Sequence, residues 1–549
     1  MPSRASPPES AAPDINALDP APVAGRYDAV VIGGAFSGAA AALLLKRRLP
    51  EATILVVERG ERFERKVGEA TVEVSGAFLQ RELGLAEHLS REHLPKHGLR
   101  YWLHADADDS LGAMTEIGPA SLPDLPSFQL DRSVLDEHLL ARAHAEGVEV
   151  RRPTKVVSVD LAWPRSRVVL EDQTVEARWV LDASGRQAFL ARRLKLQEPI
   201  EGAQTTGALW ARWSGAADLD RIEVEDGSGR RAPLPRVAAS RRLATNHFCG
   251  YGWWCWVIPL ARGGTSIGLV YDKDLFEPPG EGSLRARYER FVRTAPGLRE
   301  LVAEATIETL EEAGVDDFMA LSRLPYTTRR YADRGWALLG DAASFIDPFY
   351  SPGLDHAAMT ISATVRLVAG DLDGSLDAAA LEAALGEHDR SFRRSIRRWR
   401  DAIYHGKYEL FGDADLTHCA FLIDTALYYL GVVTPVYSDR EAMANPPFGI
   451  ALPQATVAYR VARALNRRLL DLARFRRRAG LYGRANRGAR RYSPAFRGGP
   501  TGALGPLRVG LGLLLRLELE RLVHGLRPGL WRGRRARDLA PASIDGAST

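Results

Sequence analysis

Apolar residues fall in short β-branched runs that stop at glycines or acids, and these runs set the framework of the chain. Ala29-Val30-Val31-Ile32 is followed at once by Gly33 and Gly34, then by Gly38 and the helix-forming series Ala39 to Leu45. That order predicts strand, turn, helix. A second apolar strand runs from Thr53 to Val57 and stops at Glu58. Ser127 to Arg132 leads into an amphipathic helix with Val134, Leu135, Leu139 and Leu140 on one side, capped by Asp131 or Ser133, and Gly147 to Val150 begins another strand. Two further apolar strands end in Asp182-Ala183-Ser184-Gly185 and in Gly340-Asp341. Pro95 breaks any helix ahead of a strand from Leu99 to Leu103, which puts Lys96 at an element boundary.

Beyond Asp371 the pattern turns mostly helical to about Ala479, with Trp399, Tyr404, Tyr408, Phe411, Tyr428 and Tyr429 read as buried core that could also line a pocket. Farther on, Leu515, Leu519, Leu522, Val523 and Leu526 repeat along one helix face. We read that face as docked on the protein's own body, with rest on a membrane surface as the alternative.

Composition adds a compartment and a charge asymmetry. The 549 residues are 46% hydrophobic and 26% charged, ordinary for a soluble globular protein of two or three domains. Three cysteines, Cys249, Cys255 and Cys419, make neither a disulfide framework nor a metal spacing, which fits a reducing cytoplasm. Residues 1–25 read as a disordered arm, and no stretch offers the ~20 apolar residues of a membrane span. Residues 451–549 hold 21 Arg, no Lys and 5 acids, a net +16 in a chain whose total is +4. So basic a tail can meet phosphates, an anionic membrane face or the acidic body. Aromatic interleaving and RNA modules are missing, which argues against a nucleic-acid adaptor.

The first strand, turn and helix form a dinucleotide site. Bare backbone N–H groups and a helix N-terminus receive a pyrophosphate, while Glu58, 20 residues after Gly38, is placed to hold a ribose. Ala35 stands where the middle glycine of G-x-G-x-x-G would be. Glu58, Asp182 and Asp341 all lie at strand C-terminal ends, where ligands gather in open α/β sheets.

Taken together, Gly33 to Gly38, Glu58, Gln129 with Arg132, Asp182 to Gly185 and Gly340-Asp341 resemble the FAD scaffold of the aromatic hydroxylase and halogenase superfamily. The resemblance covers about residues 26–370. It implies an α/β fold, α+β overall: a doubly wound FAD domain interrupted near 97–127 and 200–325 by a mostly antiparallel substrate sheet, followed by a helical, Arg-rich region over 371–549. By matched position Gly33, Gly34, Ala35, Ser37 and Gly38 form the pyrophosphate turn, with Glu58 and Arg59 at the adenosine ribose and Arg132 near the diphosphate. Asp182, Gly340 and Asp341 serve the cofactor at the other strand ends, Asp341 on the ribityl chain. Pro348, Gly353 and Leu354 border the flavin, with the helix from Gly353 aimed at the pyrimidine edge.

Two shorter motifs resemble flavin-dependent halogenases in particular. Trp254-Cys255-Trp256-Val257-Ile258-Pro259 fits W-x-W-x-I-P, and two indoles at i and i+2 share one strand face, where they can wall off a flavin. Lys96, ahead of Arg100-Tyr101-Trp102 and downstream of Val67 to Thr71, matches the halogenase lysine. The resemblance implies that hypohalous acid, made from reduced FAD, oxygen and halide, reaches Lys96, which hydrogen-bonds it or becomes a haloamine. Burial would lower the lysine pKa and supply the free amine. A separate flavin reductase is implied by the single dinucleotide fingerprint. Where tryptophan halogenases carry D-P-L-E-S-T-G, this chain has Asp347-Pro348-Phe349-Tyr350-Ser351-Pro352-Gly353, with Tyr350 in place of the acid. The expected substrate is therefore an activated aromatic such as a phenol, pyrrole or indole, free or on a carrier protein. An FAD monooxygenase or dehydrogenase acting on a hydrophobic substrate stays open as the alternative.

Overall fold

The computed structural model describes residues 23–225, 229–310, 315–499 and 501–525. In chain order it opens with β1 (Val23–Ile32), α1 (Phe36–Arg48) and β2 (Ile54–Val57). β3 (Leu99–Leu103), β4 (Thr115–Pro119), α2 (Arg132–Ala145) and β5 (Glu149–Arg151) follow, then β6 (Thr174–Asp182). β7 (Thr206–Ser214), β8 (Thr245–Gly250), β9 (Trp253–Pro259) and β10 (Thr265–Asp272) come next, before β11 (Trp336–Leu338). The rest is mainly helical: α3 (Gly353–Leu372), α4 (Ala378–Trp399), α5 (Ala414–Tyr428), α6 (Pro453–Arg478), a strand β12 (Arg490–Ser493) and α7 (Leu504–Gly525).

Two sheets carry the site. The first runs β11, β6, β1, β2, β5 in space, all parallel. Ile32 pairs with both Asp182 and Val57, and Asp182 pairs with Leu338. In-register ends thus place the turns after Ile32, Val57, Asp182 and Leu338 on one edge, the carboxyl edge at which ligands bind. Ala29 to Ile32 of β1 and all of β2 are buried on both faces, the usual state of parallel strands, and each fully buried valine or isoleucine contributes roughly 1.5–3 kcal/mol. α1 buries Ala39, Ala40, Ala41 and Ala42, and these small side chains let it sit close between the sheet and helices α2 and α3.

The second sheet is mostly antiparallel, in the order β7, β10, β9, β8, β3, β4, β12. Its parallel pairs are β8 with β3 and β12 with β4. On β9 the side chains alternate: Trp254, Trp256 and Ile258 join one core cluster, and Trp253, Cys255 and Val257 join another on the opposite face.

Several expectations meet a different outcome. Residues 1–22 of the arm lie outside the described residues, whereas Val23 to Gly25 already belong to β1, paired with Thr174 and Val175. Asp131, rather than Ser133, caps α2 by accepting from the Ser133 N–H. One helical run, 414–438, is long and apolar enough to cross a membrane, contrary to the reading that none is, but most of its apolar window is buried inside the protein. The face of α7 bearing Leu515, Leu519, Leu522 and Val523 is exposed, each residue more than half so; Leu526 lies outside the described residues. α7 does dock on α5 and α6, but through the other face, where Leu517 is 3% exposed. It is apolar on both sides, so the strongest periodicity did not mark the buried one.

Candidate active site

The turn after β1 is shaped by close approach. Gly33 has φ +96°, and a Cβ there would stand 2.7 Å from the Ala183 carbonyl oxygen. At Gly38 a Cβ would stand 1.8 Å from the Gly33 carbonyl oxygen, so only glycine lets α1 start this close to the strand. Ala35 precedes α1 without capping it by a side chain, and the first turn of α1 holds no acid, which leaves the helix N-terminus free for an anion. Glu58 receives the Gly34 N–H at Oε2 (2.8 Å) and the Gly60 N–H at Oε1 (2.9 Å), so it pins the turn.

A cavity of about 2220 Å³, open mouth included, opens above these residues. Gly33, Ala35, Ser37, Glu58, Arg59 and Arg132 line its dinucleotide end, and Asp341, Pro348, Gly353 and Leu354 line the other. Trp254 and Trp256 complete the wall, with ring centroids 5.8 Å apart. Arg132 is oriented by its ion pair with the buried Asp136 (3.1 Å) and lies over the Phe36 ring. Burial raises the pKa of Asp341, against the pull of Arg186 and Arg132. α3 begins at Gly353 with no side-chain cap, and Pro352 separates it from Tyr350 and Ser351, which both hold left-handed backbone (φ 71° and 57°). Such strain, at about 1–3 kcal/mol per residue, persists where surrounding structure imposes it and clusters at ligand sites.

Gly34, Gly38, Asp182 and Gly340 support this cavity from beneath without lining it. Asp182 was expected to serve the cofactor, yet its carboxylate is fully buried and used by its own turn. It accepts the N–H groups of Ser184 (3.0 Å) and Leu190 (2.7 Å). Gly340 (φ +53°) donates its N–H to Thr360 Oγ1 (2.9 Å), which fixes the start of the Asp341 turn.

Two orphan groups test whether a flavin dinucleotide fits. Thr245 Oγ1 and His247 Nδ1 are buried polar atoms without a hydrogen-bond partner, and both residues line the cavity on the same face of β8. Unsatisfied buried polar atoms cost about 1–3 kcal/mol each, so their persistence here fits a wall that completes its bonding to a polar ligand. With the glycine cradle and the uncapped N-termini of α1 and α3, the residues present fit FAD. Burial together with the Lys96 charge depresses His247 to about 3, so it stays neutral.

Lys96 lies elsewhere. It is 2% exposed and lines a second, mainly apolar chamber of about 1490 Å³, open mouth included, with Glu73, Tyr350, Asp355, Phe421, Tyr428 and Phe496. The two cavities share Asp341, Phe345 and Gly353 on their walls, so they adjoin at the start of α3. The Lys96 ammonium donates to the Thr71 carbonyl (2.7 Å), and burial lowers its pKa to about 8 while Glu73 and Asp355 hold it up. Neither tryptophan of the pair lines this chamber. Trp254 donates to Tyr408 Oη (3.2 Å), which donates to Asp347 (2.7 Å), and Trp256 donates to Ser266 Oγ (3.1 Å). These bonds fix both indoles. Tyr350 donates to Asp424 (2.9 Å), which also binds Lys407 (2.6 Å), so the residue in the place of the family's acid is anchored as a wall.

The sequence had not singled out Glu73, Asp355, Thr245 or His247. A faint signal existed for Asp355, an acid two residues into a helix whose start borders the flavin. The others reach the site only through tertiary pairing.

The fold and sequence have known counterparts. The family model for tryptophan halogenases matches residues 28–113 and 122–405. The chain belongs to the tryptophan halogenase family. A flavin-dependent halogenase, chlA, of Dictyostelium discoideum is 28% identical over 383 residues, which is 62% of this chain and 60% of the relative. The 1H-pyrrole-2-carbonyl-[peptidyl-carrier protein] chlorinase of Pseudomonas fluorescens is 25% identical over 399 residues, 69% of this chain and 82% of the relative. Among solved structures, the halogenase PltM in complex with phloroglucinol and FAD superposes with a TM-score of 0.66 at 17% identity, covering 90% of this chain and 96% of that one. Membership and cavity agree on the cofactor: this halogenase-family chain is a flavoprotein for FAD, and its fold is the mixed α/β fold of those neighbours.

Proposed function

We propose that the protein halogenates an electron-rich aromatic of phenol, pyrrole or indole type, using reduced FAD, oxygen and halide. The observation that carries this reading is the division of the site. The paired indoles belong to the flavin cavity, Lys96 belongs to the adjoining aromatic chamber, and the two share a wall at Asp341, Phe345 and Gly353. A monooxygenase has to bring its substrate to the flavin, whereas a halogenase has only to pass a small oxidant between two compartments.

When bound and reduced, FAD supplies the oxygen activation that turns halide into hypohalous acid. Gly33, Ala35, Ser37, Glu58, Arg59 and Arg132 would hold its dinucleotide part, and Asp341, Pro348, Gly353 and Leu354 would lie along its flavin part. Trp254 and Trp256 keep substrate off that cavity. Lys96 meets the oxidant on the far side: its Nζ spends one hydrogen bond on Thr71, and the depressed pKa leaves on the order of a tenth of it as free amine at pH 7. It either donates a hydrogen bond to hypohalous acid or carries the halogen on nitrogen. The apolar walls hold the ring and exclude water.

A separate reductase supplies reduced flavin, since one dinucleotide fingerprint is present in the sequence. The pyrrole-carrier chlorinase among the relatives supports a substrate presented on a carrier protein as one form of delivery. We extend the proposal to a peripheral contact with anionic lipid through α7. Its acids Glu518 and Glu520 turn inward to Arg468 and Arg476, which leaves Leu511, Leu515, Leu519, Leu522 and Val523 outward beside the exposed Arg508 and Arg516.

The deciding assay combines purified protein, FAD, a flavin reductase, oxygen and bromide with an activated phenol or indole, and reads products by mass spectrometry. Brominated product is expected, and Lys96→Met should abolish it while FAD binding and reoxidation continue. Hydroxylated or desaturated product from the parent, or bromination by Lys96→Met at the parent rate, would overturn the proposal.

A further inference from the structure

We infer that Asp355 is the proton acceptor of ring halogenation, and that the chamber accordingly takes a phenol or an N–H heteroaromatic. The inference rests on the halogenase reading and names a residue for the carboxylate that the sequence lacks at Tyr350.

Five carboxylates line the chamber, Glu73, Asp341, Asp347, Asp355 and Asp424, and Asp341 lies on the wall shared with the flavin cavity. Asp424 is paired with Lys407 and Tyr350. Asp347 accepts from Tyr408 and from the Phe349 N–H, on the side of Trp254. Glu73 is half-buried and bound by Tyr429 (2.8 Å). Asp355, third residue of α3 and 5% exposed, sits one turn from the wall shared with the flavin cavity. It accepts from the Ser75 N–H at Oδ1 (2.8 Å) and from Tyr428 at Oδ2 (2.7 Å), two neutral donors that orient it without pairing its charge. Each oxygen retains a lone pair for a substrate O–H or N–H.

The groups that act on Asp355 come from every element around it: Glu73 and Ser75 from the helix below, Lys96 ahead of β3, Tyr428 on α5, and Tyr404 and Tyr437 farther off. Burial wins among these, and it pushes the acid up to about 6 although Tyr428 and Ser75 pull it down. The carboxylate is therefore ionised at neutral pH, yet basic enough to accept a proton in a transition state. Glu73 and then Asp355 hold up the Lys96 pKa, and Lys96 and Asp355 line the same chamber.

The atoms balance as follows for a phenol and hypohalous acid held by Lys96. The ring π pair forms the carbon–halogen bond while the O–X bond breaks and leaves its pair on hydroxide. The phenol O–H proton passes to Asp355, and the ring becomes a neutral dienone. Asp355 then gives that proton to hydroxide as water, and transfer of the ring C–H proton to oxygen restores the phenol. Neither oxidant nor reductant is needed beyond the hypohalous acid.

Asp355→Asn in the holoenzyme, with reductase and bromide, tests this. FAD affinity should be unchanged, and hypobromous acid should still be trapped by an added diketone scavenger. Phenol bromination should fall by roughly 10²–10⁴-fold, and the acidic limb of the rate near pH 6 should vanish. Asp355→Glu should restore part of both. Tyr428→Phe removes the donor that pulls the acid down, so its acidic limb should move to higher pH even if Asp355→Asn folds poorly. Parent-like rate and limb in Asp355→Asn, or an unmoved limb in Tyr428→Phe, would overturn the assignment. A parent that yields no trapped hypobromous acid at all would instead indict the halogenase reading.

Discussion

Glu58 pins its own turn and could still hold a ribose, because each of its carboxylate oxygens has two lone pairs. One on each side is taken by the Gly34 and Gly60 N–H groups, and the others point to where a ribose would sit. Glu58→Ala should therefore weaken FAD by more than a lost hydroxyl contact, since the turn itself loosens. Hydrogen bonds to a charged group contribute about 1.5–3 kcal/mol, so a roughly 10- to 100-fold rise in Kd is expected in fluorescence titration, and Glu58→Gln should recover part of it. An unchanged Kd for Glu58→Ala removes the residue from the cofactor site. Gly33, Gly38 and Glu58 were legible because backbone approach and strand ends leave marks in sequence. Asp182 was misread for a related reason: an acid followed by Ala-Ser-Gly also writes an Asx turn, and the N–H of Ser184, two residues on, was nearer than any ligand.

At the scale of elements, the strands and helices followed from alternation and apolar runs, while the spatial order of the strands and the outward face of α7 did not. Both its faces are leucine-rich, and only the packing partners α5 and α6 decide which is covered. The exposed face is apolar with arginines and holds no acid, because Glu518 and Glu520 pair inward. Anionic vesicles should therefore bind the protein more tightly than phosphatidylcholine vesicles, less so in high salt. Leu515→Ser with Leu519→Ser should lower the partition by roughly two to four orders of magnitude, taking about 1.5–3 kcal/mol per buried leucine, without changing Tm. Concentration-dependent self-association that these substitutions abolish, with no vesicle binding, would assign the face to a second copy instead.

Across the described residues, five arginines of the basic tail meet acids of the body, among them Arg497 at Asp124. Arg474 meets Glu409, Arg490 meets Glu116, Arg491 meets Asp415, and the buried Arg476 joins Asp413 and Asp415. Net charge by segment revealed the attraction, but no sequence pattern revealed where it leads. β12 extends the substrate sheet, and the chain after it carries Phe496 into the wall of the Lys96 chamber. The ring meets Phe421 at 5.8 Å and Tyr429 at 5.3 Å. All three residues lie beyond the stretch matched by the family model, which ends at 405. The region after the family match thus builds part of the wall of the Lys96 chamber, where the proposed substrate would rest. Phe496→Ala removes ring contacts each worth about 0.5–1.5 kcal/mol together with apolar wall area, so KM for the aromatic substrate should rise roughly tenfold or more. The same change should leave kcat nearly constant and FAD affinity untouched, because Phe496 lines the chamber of Lys96 and not the flavin cavity. Steady-state kinetics beside a flavin titration separates the cases. A parallel loss of FAD affinity would mean that the C-terminal wall supports the cofactor domain as a whole, and an unchanged KM would move the substrate to another part of the chamber.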